Sequence, residues 1–244
     1  DLSINVLDIL VIVNSIVGGE TLSLTEFEAA DMNYDGSANV VDIIAIVNII
    51  LGDGSAMGTS INESTITVES ENITIKSDGF IAGFELDVDG DFTLDNSQLP
   101  IGWSLYHSDS KVLAFTTDGK NLSDQITIPY EGSIDINSGL ITDLHSTIVY
   151  AETNVIPNSY VVSTAYPNPF NPITQFDYAI PENVNVSISI YDASGSKIAE
   201  IQNGFQNAGS YTVSWDAGIQ PSGVYFIRFV AGEYKTSEKV MLLK

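Results

Sequence analysis

Two periodicities divide the chain. Up to about residue 53, apolar positions recur at helical spacing. Residues 6–17 and Val40-Val41-Asp42-Ile43-Ile44-Ala45-Ile46-Val47-Asn48-Ile49-Ile50-Leu51 predict two helices, the second apolar on nearly every side. Such a helix needs cover on more than one face. Its partner helix supplies part of that cover, and a neighbouring domain or a separate binding partner the rest. Thr25-Glu26-Phe27-Glu28 predicts a short helix capped by Ser23 or Thr25, and Gly52-Asp53-Gly54-Ser55 stops the second long helix and opens a linker.

From about Met57 to Thr153 the period falls to two. Strands are predicted at 65–68, 72–76, 81–88, 103–106, 112–116, 125–130 and 147–150, with turn clusters such as Ser77-Asp78-Gly79 and Thr117-Asp118-Gly119-Lys120 between them. Short strands at close intervals indicate an all-β sandwich. Residues 154–163 read as a linker. Three prolines in Tyr166-Pro167-Asn168-Pro169-Phe170-Asn171-Pro172 then force an extended entry. Six strands follow, at 175–180, 184–191, 196–201, 211–215, 224–230 and 235–243, with Tyr178, Tyr191, Tyr211, Trp215 and Phe226 as the expected aromatic core of a small immunoglobulin-like sandwich. The expected fold class is mixed and multidomain: a small α-helical loop-helix module (1–56) followed by two all-β sandwiches (57–153 and 164–244).

The candidate chemistry lies just before the apolar helix. Asp31-Met32-Asn33-Tyr34-Asp35-Gly36-Ser37-Ala38-Asn39-Val40-Val41-Asp42 places side-chain oxygens at positions 1, 3, 5, 9 and 12, glycine at 6, and the carbonyl of Ser37 at 7. A calcium ion takes six to eight hard oxygen ligands, and a twelve-residue loop with these offsets wraps the chain around it. The predicted ligands are Asp31, Asn33, Asp35, Ser37, Asn39 and Asp42. Asp42 is one methylene shorter than the usual glutamate. An Asx-rich turn with Asp42 capping a helix is the alternative. The pattern recurs, because Asp1-Leu2-Ser3-Ile4-Asn5-Val6-Leu7-Asp8 aligns with the stretch from Asp35 to Asp42. Asp1, Ser3, Asn5 and Asp8 are therefore candidate ligands of a second site, weakened by Leu2 where glycine is expected. The offset of 34 residues also suits a tetratricopeptide array, but such arrays need three copies and carry no carboxylate loops. The chain opens at position 5 of this first loop, so its first four positions and any signal peptide are expected upstream.

Charge narrows the partners. A net charge of −24, with 32 Asp plus Glu against eight Lys plus Arg, excludes nucleic acid as a partner and suits calcium. No cysteine is present, which rules out a disulfide framework and a thiolate zinc site. The apolar runs at 9–13 and 43–51 are too short to span a membrane. Asp87-Val88-Asp89-Gly90-Asp91 has its glycine at position 4 and Gln98 at position 12, so it reads as a bulged strand end, not a third calcium loop. His107 and His145 have no neighbouring ligand residues, and no Gly-x-Ser-x-Gly elbow accompanies them. No catalytic residue is predicted.

Three resemblances follow from these motifs. The duplicated loop-helix of about residues 1–53 resembles a dockerin module, an EF-hand-like calcium repeat. Phe80-Ile81-Ala82-Gly83-Phe84-Glu85-Leu86-Asp87-Val88, with the later Gly132…Ile136…Leu144…Ile148-Val149 spacing, is similar to cohesin-like domains. Ala165-Tyr166-Pro167-Asn168-Pro169-Phe170-Asn171-Pro172-Ile173-Thr174, Ile190-Tyr191-Asp192-Ala193-Ser194-Gly195, Ser222-Gly223-Val224-Tyr225-Phe226 and Lys239-Val240-Met241-Leu242-Leu243-Lys244 resemble the type IX secretion sorting domain. That last resemblance implies recognition by the type IX machinery at the outer membrane of a Gram-negative bacterium, and release or surface attachment afterwards. Together they imply a non-enzymatic, calcium-binding tail of a secreted or cell-surface protein. Its dockerin-like part would dock onto a cohesin-like module in a neighbouring chain, giving filaments or another homo-oligomer, or in its own chain, giving a stalk. The alternative is the targeting and stalk region of a secreted hydrolase whose catalytic domain lies upstream.

Overall fold

The computed structural model describes residues 4–52 and 60–244. Their contacts separate two units, 1–154 and 155–244. The division expected between residues 56 and 57 lies outside the described residues, as do Asp1, Ser3 and residues 53–55 of the expected linker.

The first unit opens with three helices, α1 (Val6–Gly18), α2 (Leu24–Ala30) and α3 (Val40–Leu51). Their starts are fixed by local polar chemistry. Asn5 caps α1 and Asn39 caps α3, each as a capping box closed by an aspartate three residues on, Asp8 and Asp42. The internal duplication in sequence is thus a duplication of helix starts. Ser23 and Glu26 form the same device on α2.

Eight strands follow: β1 (Ser64–Val68), β2 (Asn72–Ile81), β3 (Gly83–Leu94), β4 (Trp103–His107), β5 (Lys111–Thr116), β6 (Ser123–Thr142), β7 (Ile148–Tyr150) and β8 (Glu152–Val155). They run in the order β4-β5-β3-β6-β2-β1-β8, with β7 on β6. The 20-residue β6 serves both layers. Residues 123–129 pair with β2, and residues 130–142 with β3. Between the layers lie Ile66, Ile73, Ile75, Phe84, Leu86, Val112, Ala114, Ile128 and Ile141.

Three expectations need correction here. Ser77-Asp78-Gly79 is not a hairpin turn but lies within β2, because the Asp78 carboxylate holds the amides of Asn62 and Glu63 while Ser77 pairs with Ser64. Asp87–Asp91 does not end a strand. The bulge falls between Asp87 and Val88, and β3 continues to Leu94. Residues 131–142, not anticipated as a strand, carry β6 onward.

β5 explains how the helices are held. Val112 and Ala114 face the sandwich core, while Leu113 and Phe115 face the other way. There they meet Ile9, Ile12 and Val13 of α1 and Ile43, Ile44, Ile46 and Val47 of α3, together with Ala82 and Leu144. A strand buried on both faces reads as an unbroken apolar run. The all-round apolar α3 is likewise covered as far as Val47 by α1 on one side and by the sandwich on the other, while Ile49, Ile50 and Leu51 stay exposed.

The second unit contains β9 (Val161–Val162), β10 (Ile173–Ile180), β11 (Val184–Asp192), β12 (Lys197–Gln206), β13 (Gly209–Asp216), β14 (Gly223–Ala231) and β15 (Tyr234–Leu242). Sheets β13-β10-β9 and β12-β11-β14-β15 enclose Phe170, Phe176, Tyr178, Trp215, Tyr225 and Phe229. Phe226 is a correction. It faces solvent, because alternation along β14 turns Tyr225, Ile227 and Phe229 inward. Tyr191 is only half-buried, and the strand β9 lies inside the segment expected to be a linker. The proline-rich entry covers the free edge of β15. Asn168 accepts from the Met241 amide at 3.0 Å and donates to the Lys239 carbonyl at 3.1 Å, while Phe170 N–H donates to the Met241 carbonyl at 2.9 Å.

Candidate calcium loop

The loop from Asp31 to Asp42 joins α2 to α3, with Asp31 as the C-cap of α2 and Asn39 as the N-cap of α3. Gly36, at position 6, adopts φ 87°, and Tyr34, at position 4, adopts φ 60°. The left-handed turn expected at Gly36 is therefore present, where glycine carries no Cβ penalty.

Each carboxylate in the loop is turned onto a nearby amide. Asp31 Oδ1 accepts from Asp35 N at 3.0 Å and its Oδ2 from Gly36 N at 2.9 Å. Asp35 Oδ1 accepts from Ser37 N at 2.9 Å, and Asn33 Nδ2 donates to Asp35 Oδ2 at 2.8 Å. Asp42 binds the loop from its far end. Its Oδ1 accepts from Met32 N at 2.7 Å and its Oδ2 from Asn39 N at 2.9 Å. Asn39 Oδ1 takes the Val41 amide at 2.8 Å. Asp31, Asn39 and Asp42 are all buried, Asp42 completely. Burial pushes the Asp42 carboxyl above the ordinary aspartate range. The amides of Asn39, Met32 and Asn33 oppose that push, and the negative Asp35 adds to it.

Among the described residues, no three Asp, Glu, His or Cys side chains converge on one point, and Asp31, Asp35 and Asp42 take part in no ion pair. A fully buried carboxylate beside a second one, with no cationic side chain to balance them, is costly by itself. Hard oxygen donors at these offsets, with carboxylates held by backbone amides and by no cationic side chain among the described residues, suit a hard divalent cation. The capping alternative is not exclusive of this, since Asn39 and Asp42 close a capping box as well. At the first copy, Asn5 Oδ1 accepts from Leu7 N at 2.9 Å, and Asp8 Oδ2 from Asn5 N at 2.8 Å. These two residues repeat the geometry of Asn39 and Asp42.

Sequence reasoning missed the residues under the loop. Val40 N donates to Glu85 Oε2 on β3 at 3.3 Å, and Lys111 Nζ binds Glu85 Oε1 at 2.6 Å and Asp87 Oδ1 at 2.8 Å. Asn48, near the end of α3, donates its Nδ2 to the Leu144 carbonyl at 2.6 Å. Nothing in the linear pattern ties position 40 to 85. The one available signal was Ala82-Gly83, two small residues between the bulky Ile81 and Phe84. Asp87 and Asp89 belong to strand contacts, with Asp87 bonded to Lys111 and Ser138 and Asp89 to Asn137. His107 packs beside Phe92, and His145 lies 3.9 Å from Asp143.

Comparison with known proteins matches residues 1–51 to the dockerin type I domain and residues 164–243 to the secretion system C-terminal sorting domain. No curated protein matches the chain. Among solved structures, dimeric latent PorU from Porphyromonas gingivalis is 14% identical over 76% of this chain and 20% of that one, with a TM-score of 0.30. The titin domains Z1Z2 in complex with telethonin are 15% identical over 76% of this chain and 95% of theirs, with a TM-score of 0.22. Dpr2 Ig1-Ig2 in complex with DIP-Theta Ig1-Ig3 is 12% identical over 74% of this chain and 61% of that one, with a TM-score of 0.31. This chain therefore spans a fifth of the PorU chain. At these scores the structural likenesses carry no argument.

Proposed function

From a dockerin type I match at one end and a sorting-domain match at the other, we propose that this chain is a calcium-stiffened, non-catalytic tail that carries its protein to the cell exterior and holds it there. The sorting domain is an export address, and the protein is secreted or held at the cell surface of a Gram-negative bacterium. The matched modules are themselves non-catalytic, and no helix among the described residues is long and apolar enough to cross a membrane. In this reading the type IX machinery recognises residues 164–244, the cohesin-like segment 57–153 supports the dockerin-like segment 1–56, and 154–163 joins them to the sorting domain.

The observation that carries the reading is the common core of α1, α3 and β5, with Ala82 and Leu144. The dockerin-like helices already lie on the sandwich of their own chain, which supports a stalk. Calcium would be held by Asp31, Asn33, Asp35, Asn39 and Asp42 with the Ser37 carbonyl, and its charge would offset the buried carboxylates. Asn5 and Asp8, with Asp1 and Ser3, are proposed for the first site. Binding couples to folding, because without the cation the loop's negative charges repel one another.

Isothermal titration of the chain with calcium tests this, alongside Asp31→Ala. The variant is expected to bind at least about tenfold more weakly, since it loses a charged ligand. Equal affinity would remove the loop assignment.

One observation favours assembly between copies as a second reading. Val6, Leu7, Leu10, Val11 and Ile50 of the helix pair remain 40% or more exposed. Sedimentation velocity with calcium and then with chelator separates the readings: calcium-dependent oligomers support assembly, and a monomer in both supports the stalk.

A further inference from the structure

We infer that Glu85, on the sandwich, is a positioning residue for the calcium loop, so that calcium occupancy and the seating of α3 on β3 are one coupled equilibrium. The inference rests on the calcium reading above.

α3 starts at Val40, between two proposed ligands, Asn39 and Asp42. The first amides of a helix have no acceptor within it. Asn39 Oδ1 takes the amide of Val41, and Val40 N–H leaves the module altogether to meet Glu85 Oε2. Glu85 is not free to wander. Its side chain is 12% exposed, and Lys111 grips its other oxygen while also holding Asp87. Two residues back on the same face of β3, Gly83 leaves room for the helix: a Cβ there would lie 2.8 Å from Val40 Cγ2. Gly83 thus sets how closely the start of α3 approaches the sheet, and Glu85 sets where its first amide points.

The consequence for the metal is direct. Positions 9 and 12 of the loop flank the amide that Glu85 holds, so the sandwich would fix the backbone between these two proposed ligands. Coupling of this kind is reciprocal. Whatever factor Glu85 contributes to calcium affinity, calcium returns to the contact between α3 and β3.

The test is calcium titration of the full chain by calorimetry, with terbium luminescence through Tyr34 as a second readout and Trp103 fluorescence as the check that the sandwich is folded. Glu85→Ala is expected to weaken calcium binding about tenfold, the scale set by losing one charge-assisted hydrogen bond. Glu85→Gln keeps an oxygen for the Val40 amide and is expected to recover most of that loss. Glu85→Met removes the acceptor while retaining side-chain volume, and takes the place of the alanine variant if that one does not fold. Wild-type affinity in the Ala or Met variant overturns the positioning role and leaves the calcium reading intact. A Gln variant as weak as Ala also overturns it, because the effect would then belong to charge alone. No calcium binding by the wild-type chain overturns both.

Discussion

Lys111 is the residue on which the charges under α3 meet. It holds Glu85 and Asp87 at once in a strongly acidic chain. Partial burial pushes the Lys111 ammonium down, but bonds to Asp87 and Glu85 outweigh that and hold it above the ordinary lysine range. Burial likewise pushes Asp87 up, yet bonds from Lys111 and Ser138 hold it below the ordinary aspartate range. The signs give a window. The Asp87 contribution is present above the unfolded aspartate pKa, about 4, and is lost as pH falls through its lower folded value. The Lys111 contribution is present below the ordinary lysine range and is lost as pH rises through its raised value. Lys111→Met is therefore expected to lower stability most between about pH 5 and 9, and to approach the wild type as pH falls through the lowered Asp87 value. Urea denaturation in chelator, followed by Trp103 in a Trp215→Phe background, measures this. At this scale the turn at Gly36 and the Asn39–Asp42 cap were legible, because their spacing is local. Glu85 and Lys111 were not, because their partners are brought to them only by tertiary packing.

Among the elements, α3 approaches β3 closely where Val40 meets Gly83 and Glu85. Gly83→Val is expected to displace the start of α3 and to cost about 1–3 kcal/mol, the usual range for overpacking a tight contact. The same denaturation experiment reads that loss, and calcium affinity is expected to fall with it. Most elements were legible. α3 follows its unbroken apolar run, and β10, β14 and β15 follow their patterns because alternate positions of each strand turn inward. β6 was cut short because polar residues such as Glu131, Ser133, Asp135 and Asn137 separate its apolar ones. Those residues face solvent while Ile134 and Ile136 face the core, so the strand continues through them. Phe226 was misplaced for a related reason: hydrophobicity alone does not fix the register of β14, and its neighbours Tyr225 and Ile227 take the inward face.

For the whole molecule, the sequence indicated three modules in series, whereas the first 154 residues form one unit with helices and sandwich sharing a core. The apolar surface of α3 showed that cover was required, but helical periodicity carries no information on whether the cover lies in the same chain. In the proposed function, calcium orders the helix pair against its own sandwich. Amide hydrogen exchange at micromolar protein, with calcium and then with chelator, reads this ordering residue by residue. Calcium is expected to raise protection in residues 40–51 and, together with it, in the facing residues 82–86 and 111–116, to the same degree at two protein concentrations. Helices that gain protection with calcium while those strands remain unchanged would contradict it.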